Sequence, residues 1–201
     1  MKKVFCWLLV AGMIIYGIGL LRDMEMLHRN TIRLHVVGAS DEETDQELKL
    51  QVKDAVNAFI RENMENPRSF DRAKEMLAGM LPQLHDLVRQ VLAEHGSNDS
   101  VEITLEQEPF PRREYETFTL PAGVYESLRI RIGAAEGRNW WCVVFPSLCG
   151  PYAEEDLRET AVGAGFSEEL CDTITGEKGL EIRFFLLDFL GQIQNLWFGK
   201  N

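Results

Sequence analysis

The sequence lacks most of the residue patterns on which catalysis and metal binding depend. Its four histidines show no His-x-x-x-His or Cys-x-x-His spacing, so the pattern predicts no metal site. The sequence holds no glycine-rich phosphate loop and no Lys, Ser and Asp arrangement of protease or lactamase type. These absences favour a binding protein, without cofactor or small-molecule substrate, over an enzyme.

Positive charge is also scarce. The 201 residues contain 21 Lys and Arg against 32 Asp and Glu, which gives a formal net charge of −11. Such an acidic chain lacks the electrostatic footprint of a nucleic-acid-binding protein. We therefore expect no nucleic-acid partner.

A long hydrophobic run lies at the N-terminus. Lys2 and Lys3 precede residues 4–21, which hold no charge, and Arg22 follows. A positive start before an apolar run predicts a signal peptide or signal anchor over residues 1–21, with the rest of the chain exported. The run is just long enough to span a bilayer and has no clear small-x-small cleavage site, which favours an uncleaved anchor in the membrane through residues 4–21.

Residues 32–149 show the periodicities of one α+β domain, preceded by a linker at residues 22–31. Residues 32–37 alternate as a half-buried strand, which would put Arg33 and His35 on the solvent side. A capping box at Thr44-x-x-Glu47 then opens an amphipathic helix.

The second half of this domain contains a further helix and three strands. The helix begins after Ser69 and is kinked or divided at Pro82. The period then changes to two, and strands are predicted around residues 101–105, 128–132 and 140–145. The order of elements predicts an α+β fold, in which a small, largely antiparallel sheet is covered on one face by two or three helices.

The C-terminal quarter divides into two segments. Residues 150–179 are acidic and dotted with glycine, which predicts a loosely ordered segment. Residues 180–201 predict a helix whose apolar side docks on the domain: Ile182, Phe185, Leu186, Phe189, Leu190, Ile193 and Trp197. A partner-binding or membrane-surface helix is the functional alternative, although the few cations disfavour the membrane version.

The stretch from residue 139 to residue 149 concentrates two of the four tryptophans and two of the four cysteines. Such a run either crosses a core or presents a surface that a partner covers. In an exported protein, a disulfide between Cys142 and Cys149 could close the loop after the strand. Two alternatives stay open: Cys171 takes one of these partners, or both cysteines are buried thiols.

Two residue sets offer a route to hydrolytic chemistry. The first is Cys142, although its apolar surroundings suppress a thiolate. The second is the acidic cluster of Asp41, Glu42, Glu43 and Asp45, which could bind a hard cation. Because these carboxylates lie at a predicted helix N-terminus, stabilisation by the helix dipole is the favoured explanation.

The segments 32–37, 40–56, 121–125 and 139–149 together resemble the stage II sporulation protein R family. The most specific part is the tryptophan-cysteine run, Asn-Trp-Trp-Cys-Val-Val-Phe-Pro-x-Leu-Cys. The resemblance covers about residues 32–149.

This resemblance implies an intercompartmental signal of endospore-forming bacteria rather than an enzyme. The family is made in the forespore and exported into the space between the forespore and mother-cell membranes. There it activates a membrane-embedded aspartic protease, which removes the pro-sequence of the sporulation sigma factor E.

On this hypothesis the extracytoplasmic face of the protease contacts residues beside the motif and the first strand. The expected contact residues are Arg33, His35, Ser40, Asp41, Arg138, Asn139, Trp140, Trp141, Pro146 and Ser147. Two other function classes stay open. One is an extracytoplasmic hydrolase that uses Cys142 or the acidic cluster, and the other is a structural envelope protein.

Overall fold

The strand predicted at residues 32–37 is an inner strand of the sheet, with a neighbour on each side. A computed structural model describes residues 2–64, 67, 69–146, 154–177 and 179–198. Its elements, in chain order, are α1 (Lys2–Arg29), β1 (Ile32–Val37), α2 (Glu43–Asn63), α3 (Phe70–Glu94), β2 (Val101–Phe110), β3 (Arg113–Glu114), β4 (Thr119–Leu120), β5 (Gly123–Ile132), β6 (Asn139–Phe145), α4 (Glu154–Gly163), α5 (Glu168–Thr175) and α6 (Glu181–Phe198).

The main sheet has the strand order β2-β5-β1-β6. β1 runs parallel to β5, with Leu34 opposite Leu128, and antiparallel to β6, with Leu34 also opposite Cys142. β3 and β4 form a separate antiparallel pair. The predicted α+β class with a mostly antiparallel sheet is confirmed.

Two helices cover one face of this sheet, as the sequence predicts. The shared core joins apolar side chains of both helices to those of the strands: Val52, Val56, Leu77, Leu84, Val88, Leu34, Leu128, Ile130 and Val144. Burying one such side chain stabilises a fold by roughly 1.5–3 kcal/mol, so this contiguous core holds the sheet and both helices together.

The helix boundaries differ from the prediction at one end. The capping box at Thr44 does not form, because α2 begins at Glu43 and its N-cap, Glu42, makes no side-chain cap hydrogen bond. Ser69 does cap α3 by accepting a hydrogen bond from the Arg72 N–H. α3 continues through Pro82 rather than dividing there.

The described chain forms two compact units, and the range predicted as one domain, residues 32–149, contributes to both. The sheet unit comprises Asn30–Glu108 and Tyr125–Ala164. The terminal unit comprises Met1–Arg29, Pro109–Val124 and Gly165–Asn201. Segments distant in sequence therefore share a unit, which local periodicity does not reveal.

Two segments are more helical than the sequence predicts. Residues 22–29 of the predicted linker continue α1. The predicted loose segment at 150–179 contains α4 and α5 among its described residues. α5 is well delimited, because the Ser167 side chain accepts a hydrogen bond from the Leu170 N–H and Gly176 ends the helix in the left-handed conformation.

α6 is helical as predicted, but its orientation is the opposite of the expected one. Arg183, Leu187, Asp188 and Gly191 face inward. Of the seven apolar residues predicted to dock, Leu186 and Leu190 are half-buried and five are exposed: Ile182, Phe185, Phe189, Ile193 and Trp197. The prediction that the apolar side docks is therefore wrong.

The polar side of α6 faces inward because it satisfies main-chain groups elsewhere in the terminal unit. The Asp188 carboxylate accepts a hydrogen bond from the Ala122 N–H at 2.7 Å. The Asn195 amide donates to the Phe110 carbonyl at 2.8 Å. Such buried main-chain groups are costly to leave without partners.

An ion pair fastens α1 to α6 within the terminal unit. The Arg183 Nη2 atom lies 2.5 Å and its Nε atom 2.9 Å from Oδ2 of Asp23, and the same guanidinium contacts Glu169 of α5. Asp23 and Arg183 are both buried. Removing one partner of a buried pair leaves an uncompensated charge, so this contact constrains how α6 packs on α1.

The N-terminal part of α1 is apolar and exposed. Residues 3–16 are exposed, and burial begins further on, at Leu20, Asp23 and Leu27. Lys3–Arg29 is the one helix in the described part of the chain that is long and apolar enough to cross a membrane.

Gly191 permits the close approach of α6 to the segment before β5. A Cβ atom at this position would lie 1.7 Å from the Ala122 carbonyl oxygen. We therefore expect Gly191→Ala to push α6 away at a cost of roughly 1–3 kcal/mol or more. Hydrogen exchange should show faster exchange of α6 amides, with the α3 amides unchanged.

Gly79→Ala is the matched control, because no atom lies within 4 Å of a Cβ there and Gly79 is an exposed position of α3. This change should stabilise α3 by up to about 1 kcal/mol. Unchanged protection of α6 in Gly191→Ala would contradict the packing described.

Candidate interaction site

Two loops of the sheet unit are fastened to each other at the end of β1 and the start of β6. The Gly137 N–H donates to the Gly38 carbonyl at 3.0 Å, and the Glu136 N–H donates to the Ala39 carbonyl at 3.2 Å. A Cβ at position 137 would lie 2.2 Å from the Ser40 carbonyl oxygen, so only glycine fits there without a shift of the backbone. The loops 38–41 and 136–139 therefore form one surface.

Arg138 is held in this surface by its main chain. Its N–H donates to Oδ1 of Asp41 at 2.7 Å, and its carbonyl accepts from Nζ of Lys49 at 2.9 Å. Its side chain is 70% exposed, and its Nε atom lies 3.5 Å from the Asp41 carboxylate. Exposed ion pairs contribute at most about 1 kcal/mol, so the main-chain bonds and not the guanidinium fix this loop.

Lys49 supports the loop from α2. Burial lowers the pKa of its ammonium group, and the nearby charge of Arg138 lowers it further, while Asp41 acts in the opposite direction. The Lys49 Nζ atom also donates to the Gln46 side chain at 2.6 Å, and Gln46 in turn donates to the Ser40 carbonyl at 2.7 Å. A polar network therefore joins α2 to both loops.

The acidic cluster takes part in these local contacts. The Asp41 carboxylate binds the Arg138 N–H, and Oδ2 of Asp45 accepts a 2.6 Å hydrogen bond from the Ser40 hydroxyl. In the parts of the chain that the structure describes, no three His, Cys, Asp or Glu side chains are grouped so that they could hold a metal ion. The carboxylates thus order the entrance to α2.

His35 connects this surface to the interior of the sheet unit. Its Nδ1 atom lies 3.0 Å from both oxygens of Glu108, and its Nε2 atom lies 3.0 Å from Oδ1 of Asn139. The imidazole ring also stacks on Trp141, with 5.6 Å between the ring centroids. Both ring nitrogens therefore lie within hydrogen-bond distance of side-chain oxygen atoms.

Glu108 is the buried end of this chain of contacts. Burial alone would raise the pKa of its carboxyl group, but the hydrogen bond from His35 and the charges of His35 and Arg129 outweigh that effect and lower the pKa. A salt bridge of 3.5 Å joins Glu108 to Arg129 on the neighbouring strand. The negative charge of Glu108 therefore holds His35, and His35 holds Asn139 and Trp141.

The structure divides the predicted contact residues into exposed and buried groups. Asp41, Arg138 and Asn139 are exposed, and Ser40, Trp140 and Trp141 are half-buried. We call the side chains of Ser40, Asp41, Arg138, Asn139 and Trp141 the loop surface. Trp140 packs instead toward the hydrophobic core, with Nζ of Lys53 5.1 Å from the centroid of its ring.

Three predicted contact residues are not available at the surface. Arg33 and His35 are buried, contrary to the expected solvent-facing position, because β1 lies between two strands and neighbouring side chains cover its second face. Arg33 lies over the ring of Tyr125, 5.1 Å from its centroid. Pro146 is also buried. Ser147 lies outside the described residues.

Cys142 is buried and disulfide-bonded, so it offers no thiolate for hydrolysis. Cys171 is a buried thiol, and the alternative in which it takes one of the predicted partners is therefore wrong. Cys149 lies outside the described residues, so its pairing with Cys142 stays a prediction.

Sequence reasoning missed several residues that build this site, namely Glu108, Lys49, Gln46 and Gly137. Glu108 continues the alternation of glutamates at positions 102 and 106, which pointed to a solvated face rather than to a buried partner for His35. Gly137 stands in a turn-rich stretch of sequence. Its close contact with Ser40 could not be predicted from the residues around it, because Ser40 lies far away in the chain.

The lowered pKa of Glu108 predicts a specific dependence of stability on pH. The folded pKa lies below the ordinary value of 4.5, so the stability from this ionised carboxylate is complete above that value and is lost as pH falls through the folded pKa. We expect Glu108→Gln to lower the free energy of unfolding by roughly 1.5–3 kcal/mol at neutral pH.

Urea unfolding of both proteins between about pH 7 and about pH 3 measures this effect. The difference between wild type and variant should shrink as pH falls below the ordinary carboxyl range. A difference that stays constant over the whole range would show that ionised Glu108 contributes nothing to the folded state.

A family model described as Stage II sporulation protein R matches residues 28–155, a range that contains the whole loop surface and the buried residues beneath it. The chain is 28% identical over 180 residues to Stage II sporulation protein R of Bacillus subtilis (strain 168), which covers 81% of this chain and 80% of that protein. No solved structure matches the chain.

Proposed function

This chain belongs to the stage II sporulation protein R family, and from that premise we propose that it is the exported signal that activates a membrane-embedded aspartic protease in the mother cell. The protease then removes the pro-sequence of sigma factor E. The chain acts by binding and not by catalysis.

The N-terminal helix supports the proposed location between the forespore and mother-cell membranes. Its apolar run is compatible with a signal sequence or a membrane anchor, and Lys2 and Lys3 would keep the N-terminus on the forespore side. The chain after this segment would then lie in the intermembrane space, where it can meet the extracytoplasmic face of the protease.

The loop surface is the proposed contact with the protease. It presents charged, amide and aromatic groups on a rigid base, because His35 and the two fastened loops fix their positions. Trp and Arg side chains are common anchors of interfaces. The fixed geometry supports selective binding of one protein partner.

Activation follows if this surface binds the active arrangement of the protease, which we propose is a dimer, better than the inactive one. A ligand shifts such an equilibrium only by its difference in affinity for the two states. A shift from mostly inactive to mostly active needs a difference of roughly 10⁴-fold, about 5.5 kcal/mol. A few well-packed contact residues can supply this amount.

The observation that carries this proposal is the exposed side chain of Arg138 on a loop that the main chain holds. Its guanidinium has no large role in folding, since the loop is fixed through the Arg138 N–H and carbonyl. Truncation of the side chain therefore separates binding from folding.

The direct test is reconstitution in a non-sporulating host that expresses the cognate protease and the pro-sigma factor. An immunoblot should show the shortened sigma factor only when this chain is also produced. If the chain is exported and folded but no shortened product forms, the signalling function is wrong or a further component is required.

Surface variants then locate the contact. We expect Arg138→Ala and Asn139→Ala to reduce processing about fivefold or more, as loss of over 1 kcal/mol of binding would. Arg61→Ala, at an exposed position of α2, is the matched control and should process normally. Circular dichroism and thermal unfolding must show that all three variants remain folded.

The two alternative function classes, a structural envelope protein and a hydrolase, predict different results. A structural envelope protein would leave processing in the sporulating cell intact when its gene is deleted. A hydrolase that uses the acidic cluster would lose activity in Glu43→Gln, a change at an exposed position outside the loop surface that should leave signalling intact.

A further inference from the structure

We propose that α6 is an interfacial helix, whose exposed apolar side inserts into the surface of the same bilayer that α1 spans. This inference rests on the anchored arrangement proposed above, in which residues 4–21 remain in the membrane. It assigns a role to a helix that lies beyond the range matched by the family model.

The exposed side of α6 is an apolar stripe of Ile182, Phe185, Phe189, Ile193, Leu196 and Trp197. The side chains of Phe185 and Trp197 are 65% and 71% exposed, and Phe185 stacks on Phe189 with 6.5 Å between ring centroids. A contiguous apolar patch of this kind marks an interaction surface.

The charged residues of α6 do not interrupt this stripe. Arg183 and Asp188 face inward, where they bind Asp23 and the Ala122 N–H, and Glu181 lies at the helix start. From Ile182 to Trp197 the outer side therefore carries no charge. A helix whose exposed side carries a continuous apolar stripe without charge is suited to a lipid boundary and not to water.

The ion pair between Arg183 and Asp23 places the start of this stripe close to the end of the apolar run of α1. Asp23 follows the apolar run of residues 4–21 by two positions, which is about 3 Å along a helix. The headgroup layer on each side of the hydrocarbon core is roughly 5–7 Å thick. The first turn of α6 is thus fastened to a residue that lies within that layer.

Burial along α1 supports the same placement. The helix is exposed up to residue 16 and becomes buried at Leu20, Asp23 and Leu27, where the terminal unit packs on it. Protein contacts therefore begin at the end of the apolar run, without an exposed stalk between the bilayer and the terminal unit.

The scarcity of cations on α6 does not oppose this role. Basic residues help a free helix to reach an anionic membrane. Here α1 already holds the chain at the bilayer, so α6 binds lipid at the high effective concentration of an attached group. Apolar contact and the aromatic side chains then suffice.

The test uses the full chain in vesicles of phosphatidylcholine, a lipid without net charge, with tryptophan emission as the readout. Trp7→Phe removes the tryptophan of the apolar run, and the difference between this protein and Trp7→Phe/Trp197→Phe reports Trp197. Lipids brominated near the headgroup should reduce Trp197 emission roughly twofold or more, and lipids brominated at the chain end should reduce it less.

A charged variant tests the stripe directly. Phe185→Glu/Phe189→Glu, made in the Trp7→Phe protein, should abolish quenching of Trp197 by brominated lipid. Both side chains are exposed, so helicity and thermal unfolding in detergent should match those of the parent. Leu50→Glu makes the same type of change at an exposed position of α2 and should leave the quenching intact.

Three results would overturn the proposal. If iodide quenches the Trp197 emission and brominated lipids quench it at no depth, the stripe faces water. Protection from iodide that rises with the protein-to-lipid ratio, without lipid quenching, would show a second copy on the stripe. Protection that appears only when the protease is added to the vesicles would show that a protein covers it.

The vesicles contain no protease in the first measurement, so its result does not depend on sigma-factor processing. Lipid quenching without processing in the host would support the interfacial helix, and either the signalling function would be wrong or a further component would be required. Processing in the host without lipid quenching would support the signalling function and overturn the interfacial helix.

Discussion

The fold depends on a central strand that is buried on both of its faces. The apolar side chains of β1 enter the core under α2 and α3, and its polar side chains Arg33 and His35 are covered as well. A buried polar side chain must find partners or destabilise the fold. His35 finds them in Glu108 and Asn139, and this requirement links the interior of the sheet unit to the loop surface.

The elements of the sheet unit could be predicted from the sequence because their signals are local. An apolar period of two or of three to four residues follows from the geometry of a strand or a helix, whatever surrounds it. The burial of Arg33 and His35 could not be predicted in the same way. It depends on Glu108 and Tyr125, which lie more than seventy positions away in the chain.

α6 is a second case in which local sequence did not predict which side chains are buried. Its helical period predicted the element but not the side that faces inward, since an apolar side normally packs on a core. In the structure, Asp188 and Asn195 of α6 face inward instead. They bind the main chain of Ala122 and of Phe110, which precede them by 66 and 85 positions. The loop surface lies between these cases. Local sequence signals pointed to Asp41, Arg138 and Asn139, which are exposed, but not to Lys49, Glu108 and Gly137, which help to hold the two loops and His35 in place.

The main-chain attachment of Arg138 also bears on how this surface can change over time. Because the N–H and carbonyl of the residue hold the loop, and these groups are the same in almost every amino acid, the side chain at position 138 can vary with little effect on folding. If the loop surface binds the protease as proposed, mutation at this position would alter that binding while the protein remains folded. The proposed signal and its protease could then diverge together in one lineage from those of another.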